Sequence, residues 1–196
     1  MLTNTSHTVG RIRRWSIWTL GFLSFPLAGI LGGAIAGPVD SPLAALLGGA
    51  VTGLVIGTGQ WLASGYRLRA DRWIPASTVG MALGLLLGAT VVGFGTDLRD
   101  LALMGALTGI PLGIAQAIAL PGATGARWTW AALMPALWAL GWSITTLVGV
   151  DVQTQYTVFG STGAITVSAL AGIAFVLLVP DATTSSTSAT HLEVSS

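Results

Sequence analysis

Apolar residues run through this chain in long unbroken stretches separated by short polar breaks. Six stretches are about as long as the 20 or so mostly apolar residues that a helix needs to cross the hydrocarbon core. They are Trp15–Ala36, Pro42–Ala63, Trp73–Phe94, Leu101–Leu120, Trp128–Val150 and Val158–Val179. None of them contains Asp, Glu, Arg or His. Barrel strands alternate apolar and polar positions over about ten residues, whereas these runs are continuously apolar and twice as long. The breaks hold turn formers and charges: Gly37-Pro38-Val39-Asp40, Arg67 to Arg72, Asp97 to Asp100, Pro121-Gly122 and Asp151. The pattern predicts an all-α integral membrane protein, a bundle of six helices with connections too short to fold into a domain outside the bilayer.

The basic residues give this bundle a direction. Arg11, Arg13 and Arg14 precede the first run, Arg67, Arg69 and Arg72 separate the second from the third, and Arg127 opens the fifth. The other end has Arg99 alone, with Asp40, Asp97, Asp100 and Asp151. Cytoplasmic loops are enriched in Lys and Arg, so both termini are expected in the cytoplasm, which requires an even number of spans and agrees with six. Ala34-Ile35-Ala36 resembles a signal-peptidase site, and cleavage there would leave five spans. The preceding run is longer than the usual apolar region of a signal peptide, so retention is the expected outcome. Residues 1–14 read as a cytoplasmic arm, 15–180 as the membrane domain, and 181–196 as a disordered tail rich in Ser and Thr.

Two markers recur. Arg14-Trp15, Arg72-Trp73 and Arg127-Trp128 open the odd helices at spacings of 58 and 55 residues. Gly49-Ala50-Val51-Thr52, Gly105-Ala106-Leu107-Thr108 and Gly163-Ala164-Ile165-Thr166 mark the even helices at spacings of 56 and 58. The chain therefore reads as three helical hairpins of like orientation, over 15–63, 73–120 and 128–180, repeated in parallel about an axis along the membrane normal. Trp prefers the headgroup level and Arg the cytoplasmic side, so the six residues Arg14, Trp15, Arg72, Trp73, Arg127 and Trp128 are expected to be interfacial anchors. Binding of lipid headgroups by these arginines is the functional alternative.

Glycines also recur four apart, on one helix face: Gly29, Gly33 and Gly37; Gly49, Gly53 and Gly57; Gly80, Gly84 and Gly88; Gly105, Gly109 and Gly113. Ala164, Ser168 and Gly172 make a smaller version. Within lipid, helix association depends on close van der Waals contact, which small residues permit. These glycine zippers are expected to pack the bundle, with oligomerisation or a narrow path as the alternatives.

Composition narrows the chemistry. Charged residues make up 8% of the 196, against roughly a quarter in a soluble domain, and mean hydropathy is +0.79. Net charge is +1, and the basic residues lie beside apolar runs, which suits membrane orientation and gives no nucleic-acid surface. There is no Cys, which excludes disulfides, thiol catalysis and thiolate metal sites. His7 and His191 fall outside the six runs. Ser77, Ser143 and Ser168 lie within them, but with no His or Lys at depth to activate them. No catalytic, cofactor-binding or metal-binding residues are assigned, and an enzyme is not expected. Gln60 and Gln116 align between the first two hairpins and are the candidate polar contacts, either for a substrate or headgroup or, more simply, for a neighbouring helix. Trp130, Trp138 and Trp142 give the fifth helix an aromatic stripe, read as packing or lipid contact, with a site for a flat hydrophobic ligand as the alternative.

The stretch Gly57-Thr58-Gly59-Gln60-Trp61-Leu62, then arginines, Trp73 and Ala76-Ser77-Thr78-Val79-Gly80, resembles small uncharacterised bacterial multipass proteins. These carry repeated Gln-Trp-Leu, Arg and Trp-x-x-Ala-Ser elements between glycine-rich helices. The likeness covers residues 48–90, with an echo at 105–142, and implies no activity or site. The three-hairpin plan is also similar to that of mitochondrial carriers, but their Pro, acidic and basic signature is missing from the odd helices. The expected role is a non-enzymatic accessory or structural subunit of the cell membrane, specifically an inner membrane. Its partners are the lipid bilayer and either other membrane proteins or a second copy. The alternative is a small transporter or channel for an uncharged or lipophilic solute.

Overall fold

The structure is a computed structural model, which describes residues 2–179 and side chains from Thr8 onward. The helices are α1 (Leu2–Leu20), α2 (Ser24–Ala36), α3 (Pro42–Ala63), α4 (Ala70–Val91), α5 (Leu98–Ala119), α6 (Thr124–Leu147) and α7 (Ser161–Leu178). No strand occurs among the described residues. Six helical segments are long and apolar enough to cross a membrane, the first being the combined stretch Thr8–Ala36. The polytopic helical architecture expected from the apolar runs is therefore present. The expected tail, 181–196, lies outside the described residues.

Local chemistry accounts for the element ends. Ser41 caps α3 by accepting from the Ala44 N–H at 3.3 Å, with Pro42 in the first turn, where its missing N–H costs nothing. Asp97 precedes α5 and Asp100 lies in its first turn, where negative charge suits the helix dipole. α2 ends at Gly37, whose φ of 73° lies in the left-handed region that glycine enters at little cost. The first span differs from a single straight helix. Pro26 has no N–H for the carbonyl of Phe22, and the chain tightens to a 3-10 turn at Gly21–Leu23. Ser24 Oγ donates back to the Gly21 carbonyl at 2.7 Å. Toward the N-terminus α1 continues to Leu2, so most of the expected arm is helical.

Consecutive spans are neighbours, α2 beside α3 through to α6 beside α7, and α1 packs on α7 to close the ring. Starts of α4 and α6 and ends of α3, α5 and α7 lie together at an Arg-rich end. The opposite, acidic end carries the α2–α3, α4–α5 and α6–α7 connections.

Glycine contacts set three of these seams. A Cβ on Gly49 would stand 2.7 Å from the Met81 carbonyl of α4, and one on Gly57 2.8 Å from Ser77 Cβ. Gly53 faces the Ser77 carbonyl just as closely. Gly80, Gly84 and Gly88 of α4 face Leu112, Thr108 and Met104 of α5, the first with 2.8 Å to Leu112 Cα. Gly105, Gly109 and Gly113 of α5 face Trp138, Met134 and Ala131 of α6 at 2.6 to 2.8 Å from their carbonyls. Each stripe points to the next helix along the chain. The first stripe departs from this arrangement. Gly29 makes ordinary contact with Val158 at 3.6 Å, and Gly33 and Gly37 meet nothing within 4 Å. The close position on α2 is Gly32, against Thr157 and Thr52. The reason is tertiary: the α6–α7 connection lies against α2, on a face one residue away from the one the spacing suggests.

Candidate functional site

Side chains that reach across the ring meet on its axis. Trp18 of α1 meets Trp130 of α6 edge-on at 6.0 Å between ring centroids, and Trp73 of α4 meets the same Trp130 at 5.9 Å. Phe175 of α7 stacks on Trp18 at 4.1 Å. Toward the acidic end, Phe159 packs on Phe25, Trp138 and Trp142 at 5.3, 5.0 and 6.1 Å. Phe159 belongs to the α6–α7 connection, 148–160, which folds inward as a plug. Gly141 leaves room for its ring, since a Cβ there would lie 2.7 Å from Phe159 Cε1. Thr157, also buried, accepts a 2.9 Å hydrogen bond from the Thr52 hydroxyl of α3. Gln155 ties the plug to both other connections at this end. Its carbonyl accepts from the Val39 N–H at 2.9 Å, and its Nε2 donates to the Phe94 carbonyl at 3.0 Å.

Beside the tryptophans lies a polar constellation. Gln60 and Gln116, on non-adjacent helices α3 and α5, are joined by Gln116 Nε2 donating to Gln60 Oε1 at 3.2 Å. Gln116 Nε2 also donates to Ser77 Oγ of α4 at 3.0 Å. Trp73 Nε1 donates to Gln60 Oε1 at 3.2 Å, and Trp130 Nε1 to Gln116 Oε1 at 3.1 Å. Two amides thus bind α3, α4, α5 and α6. Gln116 is 1% exposed and Ser77 equally buried, while Gln60 is half-buried. Burying an amide without partners costs a few kcal/mol. Here both Gln116 hydrogens and its oxygen are engaged.

The chemistry open to this network is limited. Amides and indoles do not ionise in the physiological range, and an indole N–H only donates. With Ser77 the network holds amides, indoles and one hydroxyl, none of which carries a charge in that range. Of the membrane serines, Ser143 donates to the Ala139 carbonyl of its own helix at 2.8 Å. No group of three or more His, Cys, Asp or Glu that could hold a metal occurs among the described residues.

The expected anchors do not share one environment. Trp73 is fully buried, a hydrogen-bonded part of the axis, whereas Trp128 is 59% exposed. Trp15 is at the perimeter and donates to the Ala169 carbonyl of α7 at 2.8 Å. The three buried tryptophans that meet are Trp18, Trp73 and Trp130, so of the three Arg-Trp dipeptides only Arg72-Trp73 contributes its ring to the axis. The aromatic stripe Trp130, Trp138 and Trp142 is wholly interior, which resolves its reading in favour of packing over lipid contact. Arg72 and Arg127 stand in the first turns of α4 and α6, and Arg14 Nη2 donates to the Val176 carbonyl at 3.1 Å. Sequence reading missed Ser77 as the partner of Gln116, and Phe159 and Thr157 as plug residues. Only the aligned Gln pair and the buried-helix Ser carried any signal.

No family model matches the chain, and no curated protein or solved structure is detectably similar to it.

Proposed function

We propose that this polytopic membrane protein is a non-enzymatic accessory or structural subunit, with both termini in the cytoplasm and an inner membrane as its site. The observation that carries the reading is the Gln60–Gln116 bridge between non-adjacent helices, capped by the Trp73 and Trp130 indoles. It occupies the axis where a solute path between three hairpins would run. Aromatic rings fill the axis on its acidic side, where Phe159 closes against Phe25 and Trp138. Glycine seams of the kind seen at Gly53 and Gly84 hold backbones together and leave no room between them. Interior charge marks ion and proton pathways in membrane proteins, and the axial residues described here are uncharged.

The test is reconstitution beside purification. Proteoliposomes holding the protein are expected to leak uncharged solutes no faster than empty liposomes, while mild-detergent extracts yield it with a stable membrane partner or a second copy. Solute flux that disappears in Gln60→Leu or Gly53→Leu would replace this reading with a transporter.

A further inference from the structure

The seam between α6 and α7 is closed at one end only. Near the acidic end, Gly163 of α7 lies hard against the Gly141 carbonyl of α6. Toward the Arg-rich end the two helices part, leaving an apolar groove of about 340 Å³. Its α6 wall is Thr129, Leu133 and Leu137, and its α7 wall includes Ile173, Ala174 and Leu177. The sequence supplies the cause. Gly80, Gly84 and Gly88 follow Trp73 by 7, 11 and 15 residues, and all three let α5 approach α4. The positions at the same distances from Trp130 are Leu137, Gly141 and Thr145. Only the middle glycine is kept, and a leucine stands where Gly80 would let the helices touch.

Two arginines adjoin the walls at the Arg-rich end, Arg127 two residues before Thr129 and Arg14 through Val176. Arg127 lies one turn toward the Arg-rich end from Trp130, on the helix that forms one wall. Its Nε has no accessible surface and no hydrogen-bond partner among the described residues. Arg14 lies one turn from Trp18, whose ring meets Trp130, and its guanidinium is bound to the Val176 carbonyl beside Leu177 on the other wall. Thr129 spends its hydroxyl on the Gly125 carbonyl, so the groove itself presents no polar group to a tail.

We infer that this groove is a binding site for one anionic phospholipid, with an acyl chain between α6 and α7 and the phosphate at Arg127 and Arg14. A lateral opening in a bilayer fills with lipid tails whatever their headgroup, so the groove alone selects nothing. Selectivity comes from the arginines: basic pockets between transmembrane helices bind anionic headgroups. Shape and charge therefore divide the work between the tail and the phosphate.

Native mass spectrometry of the detergent-purified full chain tests this, titrating phosphatidylglycerol and phosphatidylcholine with identical acyl chains. The wild type is expected to keep one phosphatidylglycerol in preference to phosphatidylcholine, by about five-fold for each contributing arginine. Arg127→Gln should lower that preference about five-fold and leave phosphatidylcholine retention unchanged. Ala174→Phe, which fills the groove, should abolish tight retention of both lipids. Arg99→Gln, at the other end, should match the wild type. Equal retention of the two lipids by the wild type would overturn the site, as would an Arg99→Gln effect equal to that of Arg127→Gln. If Ala174→Phe fails to fold by circular dichroism and gel filtration, a phosphatidylglycerol with a diazirine on its tail replaces it. Crosslinks should then fall on Leu133, Leu137, Ile173 or Leu177, and crosslinks spread evenly over the perimeter would refute the proposal.

Discussion

Gln116 engages three groups with one amide, donating to Gln60 and Ser77 and accepting from Trp130, while Gln60 in turn accepts from Trp73. Interhelical hydrogen bonds in membranes are worth about 0.6 kcal/mol on average and up to about 1.7 kcal/mol, because polar groups find other partners when the bundle opens. Gln116 belongs near the upper end, since its loss leaves the fully buried Trp130 N–H unsatisfied. Gln116→Leu is expected to destabilise the bundle by about 1–2 kcal/mol in a detergent unfolding titration. Combined with Gln60→Leu in a double-mutant cycle, it should show a coupling of at least about 0.5 kcal/mol. Strict additivity would mean that the two amides do not meet. The exposed Arg69–Asp71 pair at 2.7 Å, with both side chains more than 60% exposed, contributes little by comparison.

Helix seams are governed by what a methyl group would strike. At Gly84 it would strike the Thr108 carbonyl of α5, which cannot swing aside as a side-chain end can. At Gly33 it would meet open space. Gly84→Ala is therefore expected to cost about 1–3 kcal/mol, as other overpacked interiors do, and Gly33→Ala to change stability by less than about 0.5 kcal/mol. Thermal unfolding of the two variants in one detergent gives the comparison, and equal effects would discount the α4–α5 seam. Gly109 shows how the seam also uses proline. It abuts Pro135 N and Cα, a place on α6 where no N–H is present to be crowded.

At the scale of the whole molecule, the plug at 148–160 joins spans that are far apart in sequence. Phe159 touches α2 and α6, Thr157 touches α3, and Gln155 binds the other two connections at that end. Phe159→Ala would empty the volume shared by Phe25, Trp138 and Trp142, and buried Phe→Ala changes cost about 3–5 kcal/mol. The midpoint of unfolding should fall accordingly, with near-ultraviolet circular dichroism reporting the loosened tryptophans. Orientation is tested separately. Reporters fused after Asp40, Asp97 and Asp151 should read the external side, and those after Gly65 and Gly125 the cytoplasm. Any reversal would refute the proposed topology.

What the sequence by itself determined was the set of spans. Hydrocarbon leaves a backbone no alternative to internal hydrogen bonding, so the length and apolarity of each run place a helix there, at the same bounds for Pro42–Ala63 and with ends shifted by local caps and breakers in the others. Glycine spacing likewise marked the faces of α3, α4 and α5, because four-residue periodicity is a property of one helix. Tertiary structure alone decided which partner each face met. Gly29 and Gly33 obey the same spacing yet close no seam, since the α6–α7 plug takes that side of α2 at Gly32. Trp73 and Trp128 each follow an arginine yet lie at the axis and at the perimeter, and on α6 it is Trp130 that reaches Gln116. Gln60 and Gln116 were legible as an aligned pair. Their bond to each other was not, because 56 residues of chain separate them and only the closing of the ring brings α3 and α5 across the axis.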